Sequence, residues 1–225
     1  MLNKQCILIS RQPKADSSLR HFADSNGLTL VEQSFIETKA ILNLSIPETN
    51  WVFFSSPSGA RLFLENYQLN HQKIAVLGPG TQRTLTDLGK KVHFTGPAHL
   101  SPAEIGKDFL KQIQPNEKVL FPLSQISRKS VSGQFPDENK VEIVTYETLE
   151  NSLKLDVVPA IIIFTSPSNI DGFLQENSLD PNTKLICLGE TSHNYLKQLG
   201  ISNQIIKAGS LEEDWLKAIN QLIKQ

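Results

Sequence analysis

The stretch IIIFTSPSNI, residues 161–170, has the form of a buried β-strand that ends abruptly at the start of a helix. Its apolar residues run directly into Thr165-Ser166-Pro167-Ser168. A serine at a helix start accepts hydrogen bonds from free N–H groups of the first turn, and a proline in the next position has a preset φ and no N–H. The stretch VFFSSPSGA, residues 52–60, has the same form 110 residues earlier. The chain is therefore predicted to contain two strand-to-helix turns of one kind.

Further pairs of segments repeat at nearly the same offset. The strongest is IAVLGPGTQRTLTDLG (74–89) with LICLGETSHNYLKQLG (185–200), at an offset of 111. Weaker pairs are EQSFIETKA (32–40) with EIVTYETLE (142–150), and ILISRQ (7–12) with VLFPLSQ (119–125). Because all the pairs occur in the same order, they indicate a duplicated unit.

Each copy of the unit alternates strands with helices. Apolar runs bounded by turn residues predict strands at 7–9, 51–54, 74–77, 119–121, 161–164 and 185–188. Helical spacing of apolar residues follows or precedes them, around Leu19–Ala23, Leu62–Phe63, Leu85–Leu88, Ile105–Ile113, Leu196–Leu199 and Trp215–Leu222, with Asn26-Gly27, Gly89 and Gly200 as stop signals. Continuous apolar strands separated by amphipathic helices are typical of parallel sheets covered on both faces. The predicted fold class is α/β, with two similar domains.

Composition limits the class of protein. The chain has 225 residues, enough for two domains of about 100 each. Its net charge of -1 gives no basic surplus for binding nucleic acid or an anionic membrane. The apolar runs are too short for a signal peptide or a membrane span, so we expect a cytoplasmic protein. In that compartment Cys6 and Cys187, each inside an apolar run, are interpreted as small buried hydrophobic residues rather than a disulfide.

The repeated turns also suggest a ligand. Carboxyl ends of parallel strands are where α/β folds bind ligands. Hydroxyl groups and free helix N–H groups together form an anion site that needs no lysine. The segments at 78–81 and 189–192 repeat this chemistry after the next strand. Purely structural turns are the simpler interpretation, but four hydroxyl-bearing helix starts favour a ligand with several anionic groups.

The sequence lacks the motifs that indicate nucleotide binding, metal binding or a serine nucleophile. The sequence contains neither GxGxxG nor GxxxxGK[ST], so no nucleotide cofactor is expected. The five histidines show no metal-ligand spacing, and we interpret each as a surface residue. No GxSxG nucleophile elbow occurs. We therefore predict a protein with neither metal nor cofactor.

The ordered set of motifs resembles the uroporphyrinogen-III synthase family. The matching segments are ILISRQ, FFSSPSGARLFL, IAVLGPGTQRTL, VLFPLSQISRKSV, VTYETL, IIIFTSPSNI and LGETSHNYLKQLG, spread over nearly the whole chain. The resemblance implies a lyase of haem biosynthesis that closes linear hydroxymethylbilane to uroporphyrinogen III, with inversion of the last pyrrole and loss of water. That substrate carries eight carboxylates, and the family uses no metal or cofactor.

The resemblance also implies a domain map that the repeat does not. One domain would hold residues 1–36 with 150–225, the other 41–144, and the chain would cross between them at 37–40 and 145–149. These crossings form a two-stranded connector, and the active site is expected in the cleft between the domains. The protein is expected to act as a monomer on a small molecule.

Site residues follow from the resemblance together with the turns. Tyr146 corresponds to the tyrosine of the family's cleft and is the candidate acid that assists water loss. Its repeat partner is Ile36, so the duplicated scaffold does not require a phenol; a connector aromatic that only packs is the competing interpretation. We assign to substrate binding the basic residues Arg11, Arg128 and Lys129 and the turn residues Ser55, Ser56, Ser58, Thr81, Ser166, Ser168, Thr191 and Ser192.

Two alternatives belong to other classes of protein. A non-catalytic binding protein for a small polyanion could use the same cleft, and a turnover assay with hydroxymethylbilane separates it from the enzyme. A nucleotide-dependent α/β enzyme is disfavoured by the missing phosphate-loop motif.

Overall fold

The computed structural model describes residues 6–223. Its strands are β1 Cys6–Ile9, β2 Thr29–Glu32, β3 Ile36–Ala40, β4 Trp51–Phe54, β5 Lys73–Val76, β6 Phe94–Thr95, β7 Val119–Ser124, β8 Lys140–Glu150, β9 Ile161–Phe164, β10 Lys184–Leu188 and β11 Ile205–Ala208. Its α-helices are α1 Ser18–Ser25, α2 Pro57–Asn66, α3 Pro79–Asp87, α4 Pro102–Leu110, α5 Pro167–Glu176, α6 Glu190–Gln198 and α7 Glu212–Ile223. The chain divides into two compact units. Unit 1 runs to Glu37 and resumes at Glu150, and unit 2 is Thr38–Leu149.

Unit 1 is built on a five-stranded parallel sheet in the order β11-β10-β9-β1-β2. Helices cover both faces of the sheet, so alternate residues of each central strand enter different cores. Ile7 and Ile9 pack with α1 and α7 around Trp215, whereas Leu8 packs with α5 and α6 around Phe173. Burial on both faces explains why these strands are continuously apolar in sequence.

Unit 2 has a six-stranded sheet in the order β3-β8-β7-β4-β5-β6. Strands β8, β7, β4, β5 and β6 pair in parallel. One face carries an aromatic core around Phe53 and Phe109 with α4, and the other packs Phe54 and Phe63 with α2. The chain passes between the units within β3 and within β8, which are neighbours in this sheet. The α/β class with two parallel-dominated sheets is confirmed.

The duplication is visible in the helices that follow the serine-proline turns. Helices α2 and α5 have the same bounds at an offset of 110 residues. Each begins after a serine whose side chain caps the helix, and each has proline in its first turn. Their last turns match too: the residues after the helices donate their N–H groups to Phe63 O and Phe173 O. The predicted strand-to-helix turns are confirmed in both copies.

The predicted strands all form, with ends that move by a few residues. Sequence reasoning missed β2, β6 and β11, which lie at sheet edges, and it missed the part of β8 before residue 145. The predicted fourth helix was too long, since α4 ends at Leu110 rather than Ile113. The stop at Asn26-Gly27 is confirmed, with Gly27 at φ +63°. Cys6 and Cys187 are buried free thiols, as expected.

Candidate functional site

In unit 2, the turn between β4 and α2 brings a phenol to a helix start. Ser56 Oγ accepts a hydrogen bond from Gly59 N at 3.0 Å and lies 3.2 Å from Tyr146 Oη. The serine therefore caps α2 and contacts the tyrosine with the same oxygen. Ser55 and Ser56 are half-buried, whereas Ser58 is exposed. Of the predicted site residues, this turn joins Ser56 and Tyr146 directly.

A β-bulge decides which way Tyr146 faces. Along β8, Val144 pairs with Leu123, but the next residue of β7, Ser124, pairs with Tyr146. Thr145 is thus an extra residue, and it is buried with a hydroxyl that has no hydrogen-bond partner among the described residues. Side chains of a strand alternate between faces, so one inserted residue reverses the alternation beyond it. The bulge turns Tyr146 towards α2, the face that Val141 and Ile143 share.

The environment of Tyr146 keeps its phenol protonated. The residue is 8% exposed, and burial raises the pKa of the phenol above its usual value of 10, although the hydrogen bond with Ser56 acts in the opposite direction. Burial disfavours the charged form of an acid. At neutral pH the Tyr146 phenol is therefore uncharged and can donate a hydrogen bond.

In unit 1, the turn between β9 and α5 holds a network of hydroxyls. Ser166 Oγ accepts hydrogen bonds from Asn169 N at 3.3 Å and Asn169 Nδ2 at 3.1 Å, and lies 3.1 Å from Ser168 Oγ. Ser10, after β1, accepts a hydrogen bond on its Oγ from Thr165 N at 2.8 Å. Asn169 Oδ1 also accepts a hydrogen bond from Phe35 N at 2.9 Å. The network therefore joins the segments that follow the carboxyl ends of three strands, β1, β2 and β9.

The two glycine turns differ from the serine turns. Gly78 and Gly189 occupy the cap positions of α3 and α6, and neither helix has a side-chain cap. Gly189 has φ +86°, a conformation that favours glycine. Thr81 and Ser192 lie one turn into the helices and are buried, at 5% and 2% exposure. Thr191 is exposed. Burial weighs against direct ligand contact by Thr81 and Ser192, and their assignment stays a prediction.

Arg11 and Lys129, two of the three predicted basic contacts, have partners in their own units. The Arg11 guanidinium lies 4.4 Å from the centre of the Trp215 ring. Lys129, at φ +53°, pairs with Glu142 at 2.5 Å. Burial opposes ionisation of Glu142, but hydrogen bonds from Lys129 and Ser132 lower the pKa of its carboxyl below the usual value. Lys129 therefore has its charge balanced by a carboxylate, while Arg128 is exposed.

Sequence reasoning missed Gly59, Thr145, Asn169 and Ser10 as parts of these turns. One signal in the sequence could have pointed to this difference between the two turns. The repeat aligns Gly59 with Asn169, so a small residue stands where the other copy has a large polar one. Within residues 6–223, no three or more His, Cys, Asp or Glu side chains are grouped to hold a metal ion. No α-helix in that range is long and apolar enough to cross a bilayer.

The fold and turns define a class of protein: two duplicated α/β units with hydroxyl-rich strand ends, one of which carries a buried phenol. A family model described as uroporphyrinogen-III synthase HemD matches residues 19–216. The chain belongs to the uroporphyrinogen-III synthase family, whose members are enzymes of haem biosynthesis.

Solved structures agree on the fold. The uroporphyrinogen-III synthetase of Helicobacter pylori 26695 is 20% identical with a TM-score of 0.66, over 97% of this chain and 99% of that one. A mutant uroporphyrinogen-III synthase from the extremely thermophilic bacterium Thermus thermophilus is 12% identical with a TM-score of 0.59, over 98% and 100% of the two chains. At these identities the likeness shows the fold alone. A search of curated proteins found no significant match.

Proposed function

We propose that this protein is a cyclising lyase that converts hydroxymethylbilane to uroporphyrinogen III, with Tyr146 as the proton donor. The observation that carries the proposal is the phenol of Tyr146, buried, protonated and 3.2 Å from Ser56 Oγ at a strand-to-helix turn. Family membership over residues 19–216 supports the substrate and the product.

The first step of this reaction expels the hydroxyl of the bilane as water. The C–O bond breaks with electrons from the adjacent pyrrole nitrogen, and the phenol proton passes to the departing oxygen. For the type III isomer, the substituted α carbon of the last pyrrole attacks the cation and forms a spiro intermediate. The bond from that carbon to its original methylene then breaks, and the methylene cation rejoins the last pyrrole at its free α carbon, which inverts the ring. The proton lost from that carbon on rearomatisation restores the phenol. The phenol is in its acid form throughout the neutral range, as a general acid must be at the start of this step, and its pKa above 10 makes it a weaker acid than one whose pKa lies near neutrality.

The turns supply the other requirement, which is to hold a polyanion in one geometry. Hydroxyls at helix starts act with the N–H groups of the first turn, whose dipole favours negative charge. We assign this role to Ser56, Ser58, Ser166 and Ser168, and steering of carboxylates to Arg11 and Arg128. Positioning and electrostatics contribute most of the catalysis in such a mechanism.

The remaining assignments belong to the same proposal. The protein acts as a cytoplasmic monomer without a cofactor. Its domains comprise residues 1–36 with 150–225, and 41–144, joined through 37–40 and 145–149. Division of the contacts at Glu37/Thr38 and at Leu149/Glu150 supports these boundaries.

The test is a turnover assay with hydroxymethylbilane and separation of the product isomers. Without an enzyme the bilane closes to the type I isomer, so we expect the type III isomer only when the protein is present. Tyr146→Phe should lower kcat by about 100-fold or more, the contribution typical of a positioned acid. Production of type I isomer alone would identify a non-catalytic polyanion-binding protein.

A second tyrosine of unit 2 supplies the matched control. Tyr67 Oη donates to Ile41 O at 2.5 Å and is a structural phenol. Tyr67→Phe should lower stability by about 1 kcal/mol, the usual net value of a hydrogen bond, and leave kcat unchanged. If both variants lose kcat equally, the specific role of Tyr146 is wrong.

A further inference from the structure

Gly59 is buried in the first turn of α2, against the ring of Tyr146. A Cβ atom built on Gly59 would lie 2.9 Å from Tyr146 Cε1, 2.9 Å from Ser56 Oγ and 3.1 Å from Tyr146 Oη. Real Cβ atoms essentially never approach other heavy atoms to less than 3.0 Å, so two of these three distances are too short. The ring therefore occupies the volume that a side chain at residue 59 would need.

The backbone does not explain this glycine. Gly59 is helical, and its φ is not among the positive values of the chain. Any residue could adopt that conformation, and glycine weakens a helix relative to alanine. The reason for glycine at this position is the space that it leaves.

The other copy of the turn fills the same space. Asn169 stands in α5 where Gly59 stands in α2, three residues after the capping serine in each case. Asn169 is 3% exposed, and its side chain donates to Ser166 Oγ and accepts from Phe35 N. The repeat aligns Phe35-Ile36 with Thr145-Tyr146. In unit 1 the side chain of Asn169, on α5, thus reaches the segment that follows β2. In unit 2 the direction is reversed, because the side chain of Tyr146, on β8, reaches α2.

We infer that Gly59 is a positioning residue that leaves room for the Tyr146 phenol at the Ser56 turn, room that the side chain of Asn169 fills in the other copy of the turn. Its consequence for turnover rests on the function proposed above for Tyr146. Two features act together in unit 2: the bulge at Thr145 turns the phenol towards α2, and Gly59 admits it.

The variant that tests this inference is Gly59→Asn, which copies the residue of α5 into α2. Asparagine is compatible with this helix position, since Asn169 caps back to Ser166 there. Gly133→Asn is the matched control, because a Cβ at Gly133 would meet no atom within 4 Å. Labelling with 3-fluorotyrosine gives one ¹⁹F resonance for each of the three tyrosines, and Tyr146→Phe assigns the signal of Tyr146.

In Gly59→Asn we expect the Tyr146 resonance to move and its phenol to titrate at lower pH, because the ring leaves its buried position. Turnover should fall by about tenfold or more, and Gly133→Asn should change neither measurement. In a Tyr146→Phe background, Gly59→Asn should lower kcat by less than about twofold further, since both changes act through one phenol.

An unchanged Tyr146 resonance and titration in Gly59→Asn would overturn the inference, and so would full additivity of the two losses. If Tyr146→Phe keeps full turnover, the proposed catalytic role fails, while the ¹⁹F titration still decides whether Gly59 positions the ring. If Gly59→Asn does not fold, it is combined with Tyr146→Ala. Recovery of a folded protein supports competition for one volume, and failure to recover contradicts it.

Discussion

Replacing the two equivalent capping serines separates a structural role from a catalytic one. Ser166→Ala and Ser56→Ala each remove the oxygen that caps a helix and accepts from the N–H three residues later, at 3.3 and 3.0 Å. Loss of such a cap costs about 0.5–2 kcal/mol. The chain also provides a control, because Ser101 precedes Pro102 and caps α4 by the same bond, at 3.3 Å. All three alanine variants should unfold at lower urea concentration by similar amounts.

Activity should distinguish the three variants. If Ser166 also holds a substrate carboxylate, its loss removes a charge-assisted bond worth about 1.5–3 kcal/mol, which is about 10- to 150-fold in kcat/KM. Ser56→Ala removes the hydrogen-bond partner of the Tyr146 phenol, a neutral bond worth about 0.5–1.5 kcal/mol, so kcat should fall about 2- to 13-fold. Ser101→Ala should keep full activity.

The assays are urea unfolding for stability and steady-state conversion of hydroxymethylbilane for kinetics. Equal destabilisation of all three variants, with full kcat/KM in Ser166→Ala and Ser56→Ala, would refute the reasoning. The serine-proline motif would then be only a helix start, as it is at Ser101.

Other perturbations test the buried polar groups. Thr145→Val should stabilise the protein by about 1–2 kcal/mol in urea unfolding, since it removes a buried hydroxyl that lacks a partner among residues 6–223; destabilisation would mean that the hydroxyl has one. Burial raises the pKa of Cys6 and raises the pKa of Cys187 from about 9 to about 12, so neither thiol should react with a thiol reagent at pH 8 unless the protein unfolds. Between pH 9 and 12 the folded state holds protons on Cys187 that the unfolded state loses, and Tyr146 does the same above pH 10. Stability should therefore fall with rising pH in this window, and Tyr146→Phe should reduce the slope above pH 10.

Much of the fold could be predicted from the sequence, because its signals are local. The alternation of apolar runs with helical spacing depends on neighbours a few residues apart, and it predicted the central strands of both sheets. The turns at Ser56 and Ser166 were predicted for the same reason, since a cap is a contact between residues three apart. Edge strands such as β11 carry fewer buried residues and gave a weaker pattern. The repeat added the relation between α2 and α5.

The site depended on contacts that are distant in sequence. Whether Tyr146 faces α2 depends on one extra residue in β8, and a bulge is a property of the pairing of two strands rather than of either one. Lys129 bonds to Glu142, 13 residues away in sequence, and Asn169 bonds to Phe35, 134 residues away. The sequence alone determined that strands end and helices begin at the Ser56 and Ser166 turns, since short-range periodicity and capping encode those points. Only the tertiary structure decided that the Tyr146 phenol meets the Ser56 turn, because that contact depends on the space that Gly59 leaves beside a side chain from a distant strand.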